Sequence, residues 1–170
     1  MNLVLVRHAE AVERGTTRRD AARPLTPAGR RRFARSVEGL RRLGLRFDLV
    51  LHSPWLRAVE TADLLAPIVR GEFAVTRSLS KRPSDALLAE LRSTSAAHGA
   101  DSPADRTVAV VGHEPWLSEL ASRLVTGSAD HAARFALRKG GVIVLTGAPE
   151  AGAMTVAAAY PPKTLRRLAR

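Results

Sequence analysis

The stretch Leu3-Val4-Leu5-Val6-Arg7-His8-Ala9-Glu10 decides the fold: an unbroken apolar run that ends abruptly in Arg-His. An apolar run without polar alternation reads as a strand covered on both faces, the position of a central strand in a layered α/β sheet. The pattern recurs. Val108-Ala109-Val110-Val111-Gly112-His113 is a second apolar strand that also ends in a histidine, followed by Glu114-Pro115 at a helix start. In an open α/β sheet ligands bind beyond the carboxyl ends of strands, so the matched placement directs two histidines, distant in sequence, toward one pocket.

Working outward, residues 2–6, 48–52, 107–112, 142–146 and 154–159 read as strands, with a weaker one at 73–76, and helical patterns alternate with them. Thr26-Pro27 opens a helix whose Phe33, Val37, Leu40 and Leu43 share a stripe, and Gly44 ends it. A second helix is expected from Ser53-Pro54, with serine as N-cap, proline in the first turn, and Trp55, Val59 and Ala62 on one face. Further helices are expected over 84–97 and 115–126, while 10–23 and 98–106 read as polar loops. No repeat, heptad seam or linker interrupts the chain. These features predict one domain over residues 1–170, a three-layer α/β/α architecture around a mostly parallel sheet.

Composition sets bounds on chemistry. The 170 residues suffice for a full hydrophobic core. The absence of cysteine excludes disulfides, thiolate metal ligands and a thiol nucleophile. No apolar run approaches the roughly 18 residues that span a bilayer, and the first residues lack the pattern of a signal peptide, so a cytoplasmic protein without membrane partners is expected. The formal charge is +11, from 27 basic and 16 acidic residues. Only Lys81, Lys139 and Lys163 are lysine and alanine is abundant, a joint bias that GC-rich coding produces without selection for a ligand. The functional alternative is attraction of phosphate, whose oxygens the guanidinium fork matches bidentately. Aromatic residues make up only 4%, which disfavours nucleic acid as a partner and favours small phosphorylated groups.

A third segment, Ser53-Pro54-Trp55-Leu56-Arg57-Ala58-Val59-Glu60-Thr61-Ala62, places Arg57 in the first turn of a helix that follows a strand. There it lies near the positive end of the helix dipole and its unpaired N–H groups, where a phosphate would meet both. Alone, in a chain with arginines throughout, Arg57 reads as a solvated helix-surface arginine. Taken with Arg7-His8-Ala9, Arg23-Pro24-Leu25-Thr26-Pro27-Ala28-Gly29 and Gly112-His113, in that order over residues 1–126, the chain resembles the histidine phosphatase superfamily, the phosphoglycerate-mutase-like enzymes. Ala9-Glu10 after His8, the Arg-Pro-Leu-Thr run and the tail Tyr160-Pro161-Pro162-Lys163-Thr164-Leu165 look more like the SixA-type phosphohistidine phosphatases than the mutases.

The resemblance implies that His8 is the nucleophile, that Arg7, Arg57 and His113 bind the phosphoryl oxygens, and that two-step transfer proceeds without metal or cofactor. The residue types suit that chemistry, since a neutral imidazole is nucleophilic near neutral pH and arginine keeps its charge. The acid that protonates the leaving group is not marked: Asp85, Glu10 and Glu114 are the candidates. A leaving imidazole is more easily protonated than an alkoxide, and a chain without a long lid insertion presents an open site, so phosphohistidine on a protein is the expected substrate. The alternatives are a phosphatase of a small phosphorylated metabolite or nucleotide, and a non-catalytic module that binds phosphate or polyanions. Among the remaining residues, His52 is expected at a rim or in packing, and His98 and His131 in solvent. Arg30-Arg31-Arg32 and Arg41-Arg42 read as an exposed helix face, with docking of an acidic partner as the alternative. Trp55 and Trp116 are expected to pack near helix starts, Trp55 with access to the site mouth.

Overall fold

The structure is a computed structural model describing residues 1–96 and 106–170. Six strands, β1 (Asn2–Arg7), β2 (Phe47–His52), β3 (Val69–Val75), β4 (Thr107–Gly112), β5 (Val142–Gly147) and β6 (Met154–Tyr160), form one sheet in the order β3-β2-β4-β1-β5-β6. The pairings β2 with β3, β2 with β4 and β1 with β4 are parallel, whereas β1 with β5 and β5 with β6 are antiparallel. Five helices accompany them: α1 (Pro27–Arg42), α2 (Leu56–Asp63), α3 (Asp85–Ala96), α4 (Trp116–Thr126) and α5 (Pro162–Leu168).

The unbroken apolar runs follow from the layering. Successive residues of a strand point to opposite faces, and here each face has its own core. Leu3 and Leu5 of β1, with Val108 and Val110 of β4, pack against Leu87 and Leu91 of α3 and Leu117, Leu120 and Leu124 of α4. Val4 and Val6, with Ala109 and Val111, pack against Phe33, Val37 and Leu40 of α1, Ala58 and Ala62 of α2, and Leu165 of α5. The three-layer architecture is thus the one expected. Coverage on both faces holds only in the middle, because Arg70 to Phe73 of β3 and Thr155 to Ala157 of β6 are exposed on the edge strands. β3 also starts at Val69, earlier than its weak 73–76 signal, because its polar residues face water.

Local signals set most boundaries. Thr26 caps α1, its hydroxyl oxygen accepting from Gly29 N at 2.9 Å, and Pro27 occupies the first turn. Leu43 falls past the end of α1 and is exposed, and Gly44 takes φ +79 there, a left-handed conformation that glycine adopts without strain. The seven-residue α5 was not expected, being too short to show a helical period. It lies hard against α1, where a side chain at Gly39 would put its Cβ 2.1 Å from the Leu165 carbonyl oxygen. Position 97 of the third expected helix, and 98–105 of the second expected loop with His98, lie outside the described residues. Among the described residues no helix is long and apolar enough to cross a membrane.

What this topology does for a site is simple. β1, β4 and β2 are parallel neighbours with Arg7 opposite Gly112 and Val111 opposite His52. Their chains therefore leave the sheet at one end, and His8, His113 and Ser53 emerge side by side.

Candidate active site

His8 follows β1 directly, its backbone N donating to Gly112 O at 3.1 Å, and its ring centroid lies 5.1 Å from that of His113. Its Nδ1 is 2.7 Å from the Ala9 carbonyl oxygen. A carbonyl only accepts, so Nδ1 bears the ring proton and Nε2 keeps its lone pair. Arg57 Nε donates to that Nε2 at 3.2 Å. Burial pushes the His8 pKa down to about 3, and the positive charges of Arg57, Arg7 and Lys139 add to the effect against the opposing bond to Ala9. The imidazole is therefore neutral at pH 7, with the Nε2 lone pair fixed in direction and engaged by Arg57 Nε.

Arg57 sits in the first turn of α2, 2% exposed, with its guanidinium 4.5 Å from the centre of the Trp55 ring. Its fork is held by one residue: Nη1 donates to Asp20 O at 2.8 Å and Nη2 to Asp20 Oδ2 at 3.0 Å. Asp20 also accepts from Arg23 Nε at 2.8 Å, and Arg23 Nη1 donates to Val12 O at 2.7 Å. Desolvation alone would raise the Asp20 pKa, but the two guanidiniums hold its carboxyl below the usual range. One helical turn beyond Arg57, the Thr61 hydroxyl donates to Arg57 O at 2.6 Å and accepts from Ala9 N at 3.0 Å.

His113 is 3% exposed, its Nε2 2.8 Å from Ser53 Oγ, while its Nδ1 is buried without a protein partner. Burial, then the neighbouring His8 and Arg57, push its pKa to about 2. The Trp55 and Trp116 rings wall it, at centroid distances of 4.5 Å and 6.1 Å. Ser53 corrects one expectation: it is not the N-cap of α2, which begins at Leu56 with no side-chain cap. Its hydroxyl is committed to His113 and to Trp55 N, which donates to Oγ at 3.3 Å.

Arg7 ends β1, with backbone N donating to Gly141 O at 3.1 Å, Nη1 to Leu137 O at 2.5 Å, and Nε buried without a partner. The structure thus brings Arg7, His8, Arg57 and His113 into one buried cluster. The three acid candidates are engaged elsewhere. Asp85 pairs with Arg123, and Glu10 accepts from Arg32 Nη1 at 2.7 Å. Glu114 Oε1 accepts from Leu137 N at 2.7 Å and Oε2 from the Ser118 hydroxyl, which fastens the 137–141 segment to α4. His52 is half-buried, Nδ1 3.1 Å from Ser53 O, and His131 is exposed. Arg30 pairs with Glu60, and Arg41 and Arg42 with Glu38, so much of the α1 arginine face is already matched.

The loop read simply as polar over 10–23 holds the residues that sequence reasoning missed. Asp20 opens a short helical turn, Asp20–Ala22, and the loop pairs through Ala11 with Leu25. A signal existed: Asp20 is the only carboxylate between Glu13 and Glu38, in a stretch dense with arginine. Thr61 stood within the Ser53–Ala62 motif without an assigned role, since that role depends on the approach of two distant segments.

The sequence model described as histidine phosphatase superfamily (branch 1) matches residues 3–82. An uncharacterized protein of a Picosynechococcus strain is 37% identical over 147 residues, 85% of this chain and 84% of that protein. The protein histidine phosphatase SixA, solved with tungstate, superposes with a TM-score of 0.78 at 22% identity over 97% of this chain and 99% of that one. A SixA from Nakamurella multipartitia, assigned as a phosphohistidine phosphatase, gives a TM-score of 0.70 at 28% identity over 95% of each chain. With its strand ends, loop and first helical turn assembled as described, the chain shares the fold of the SixA structures and belongs to the histidine phosphatase superfamily.

Proposed function

We propose that this chain, as one domain over residues 1–170, is a metal-independent phosphohistidine phosphatase that acts on proteins in the cytoplasm through a covalent intermediate on His8. The observation that carries the reading is the His8 ring: Nδ1 is pinned to the Ala9 carbonyl, so the lone pair sits on Nε2 at neutral pH, and it exchanges the Arg57 Nε hydrogen for phosphorus when a phosphoryl group enters. In the first step Nε2 forms a bond to phosphorus as the bond from phosphorus to the substrate imidazole breaks, and the leaving nitrogen takes a proton from solvent water. In the second step water adds to phosphorus, the bond to Nε2 breaks, and inorganic phosphate leaves.

The surroundings supply what a transferring phosphoryl group needs. Charge spreads over its equatorial oxygens in the transition state, and fixed donors stabilise it there. Arg7 Nε and His113 Nδ1 are buried polar atoms without protein partners, a costly state that phosphoryl oxygens relieve. The Ser53 hydroxyl, which accepts from Trp55 N, has its hydrogen available for His113 Nε2, and in that arrangement the ring proton of His113 lies on Nδ1 as a donor. Arg57 adds the remaining hydrogens of its fork. The substrate class follows from the acid: Asp85, Glu10 and Glu114 are each bound elsewhere, and a leaving imidazole needs the least help from an enzyme acid. The likeness to SixA, itself a protein histidine phosphatase, supports the same choice.

The test is chemical trapping combined with a substrate panel. A labelled phosphodonor should leave acid-labile phosphate on His8, lost in His8→Ala, and kcat/KM should be higher for a phosphohistidine protein than for sugar phosphates or nucleotides. Turnover by His8→Ala at the wild-type rate removes His8 as nucleophile. A preference for the esters replaces the protein substrate with a small metabolite.

A further inference from the structure

A groove of about 460 Å³ lies beside the site, between the short helical turn Ala132–Phe135, the ends of β5 and β6, and α5. Its rim carries Arg134, Arg138, Lys163 and Arg167, all exposed, and no carboxylate lines it. Among the described residues none of these four cations is in an ion pair, in contrast to Arg30, Arg32, Arg41 and Arg42 of α1. Its floor is apolar, formed by Val142 and Ile143. The groove shares a wall with the site, because Leu137 and Gly141 line it and their carbonyl oxygens accept from Arg7.

We propose that this groove docks an acidic segment of the phosphorylated protein substrate, a reading that rests on the protein substrate proposed above. Unpaired cations over an apolar floor fit a segment that alternates carboxylates with an aliphatic side chain. Nucleic acid fits less well, since base stacking needs open aromatic faces, whereas Phe135 and Tyr160 are packed against the two cores. A small phosphate ester reaches His8 without touching the groove. The cations therefore act on KM for the protein substrate and on its association rate, and their pull weakens as salt rises.

The experiment reverses the rim with Arg134→Glu, Arg138→Glu, Lys163→Glu and Arg167→Glu together. It compares turnover of a phosphohistidine protein with that of para-nitrophenyl phosphate, and measures direct binding of poly-glutamate. The expected result is a rise of about tenfold in KM for the phosphoprotein, unchanged kinetics on the ester, and loss of a salt-sensitive poly-glutamate complex. Unchanged phosphoprotein kinetics, or an equal loss on the ester, overturns the proposal. So does single-stranded RNA that binds wild type more tightly than poly-glutamate and is lost with the same substitutions. If wild type turns over the ester but no phosphohistidine protein, the substrate reading fails, and poly-glutamate binding alone then decides whether the groove takes acidic chains.

Discussion

The two halves of the sheet use the same amino acid in opposite ways. At the parallel half, β1, β4 and β2 release their chains together, and Arg57 beside them is buried, with its fork matched to Asp20 and its Nε to the His8 ring. At the antiparallel half, β5 and β6 bring no side chain to that cluster. The segment leading into β5 supplies main-chain acceptors at Leu137 and Gly141, and beside it lie arginines that stay exposed and unpaired among the described residues. A desolvated charge held by several bonds acts strongly on one atom, while a solvated charge acts weakly over a distance that salt shortens. Position relative to water, more than the number of arginines, divides binding of a reacting group from attraction of a partner.

That division can be broken in order of size. Arg57→Ala should lower turnover about a hundredfold, with kcat and kcat/KM falling together, because a charge-assisted contact made in the transition state is lost. Steady-state kinetics on any phosphatase substrate would show it, and a wild-type rate would mean that the parallel half does not carry the charge stabilisation. Next is the joint between the halves. Glu114→Ala strands Leu137 N and frees the segment that positions Arg7, so about 1–3 kcal/mol of stability and about tenfold in rate should go. Glu114→Gln keeps an acceptor and should restore most of both, as urea denaturation and kinetics would reveal.

The smallest effect is in pH. His8 and His113 have folded pKa values of about 3 and about 2, below the ordinary value of 6.5, so between these limits the unfolded chain binds more protons than the folded one. Stability is then complete above pH 6.5 and declines as pH falls, by about 1 kcal/mol per pH unit for each histidine. Asp20, with a lowered carboxyl pKa, loses its contribution only at pH values below the unfolded carboxylate range. Denaturation between pH 6.5 and pH 5.5 thus isolates the histidines from Asp20 and from Glu38, whose carboxyl its arginine bonds also lower, and His8→Asn/His113→Asn should flatten the slope there. An equal slope in the variant would mean that neither ring is held neutral.

Much of this was legible in the chain. The runs before His8 and His113 announced strands covered on both faces, and the Phe33, Val37 and Leu40 stripe announced α1, because burial periodicity is a local property. The meeting of His8 and His113 was legible through the repeated placement of histidine at strand ends, and the part of Arg7 and Arg57 through the ordered motifs of the family resemblance. Asp20, Glu114 and Ser53 were misread or passed over for a common reason: each acts on a partner 23 or more positions away, and no local pattern records such a bond. The exposed edges of β3 and β6 blurred the strand signal for the same reason that the middle of the sheet sharpened it, which is which faces are covered.

The Thr61 hydroxyl, bonded to the chain after His8 and to the carbonyl of Arg57, has a mechanical consequence. It sits on the short path between the proposed nucleophile and the arginine that faces it. A shift of α2 on the sheet would therefore be passed to the strand exit through this hydroxyl, moving both groups in one frame. With the Asp20 and Gly112 contacts, one small oxygen helps keep the gap between them independent of the layers around it.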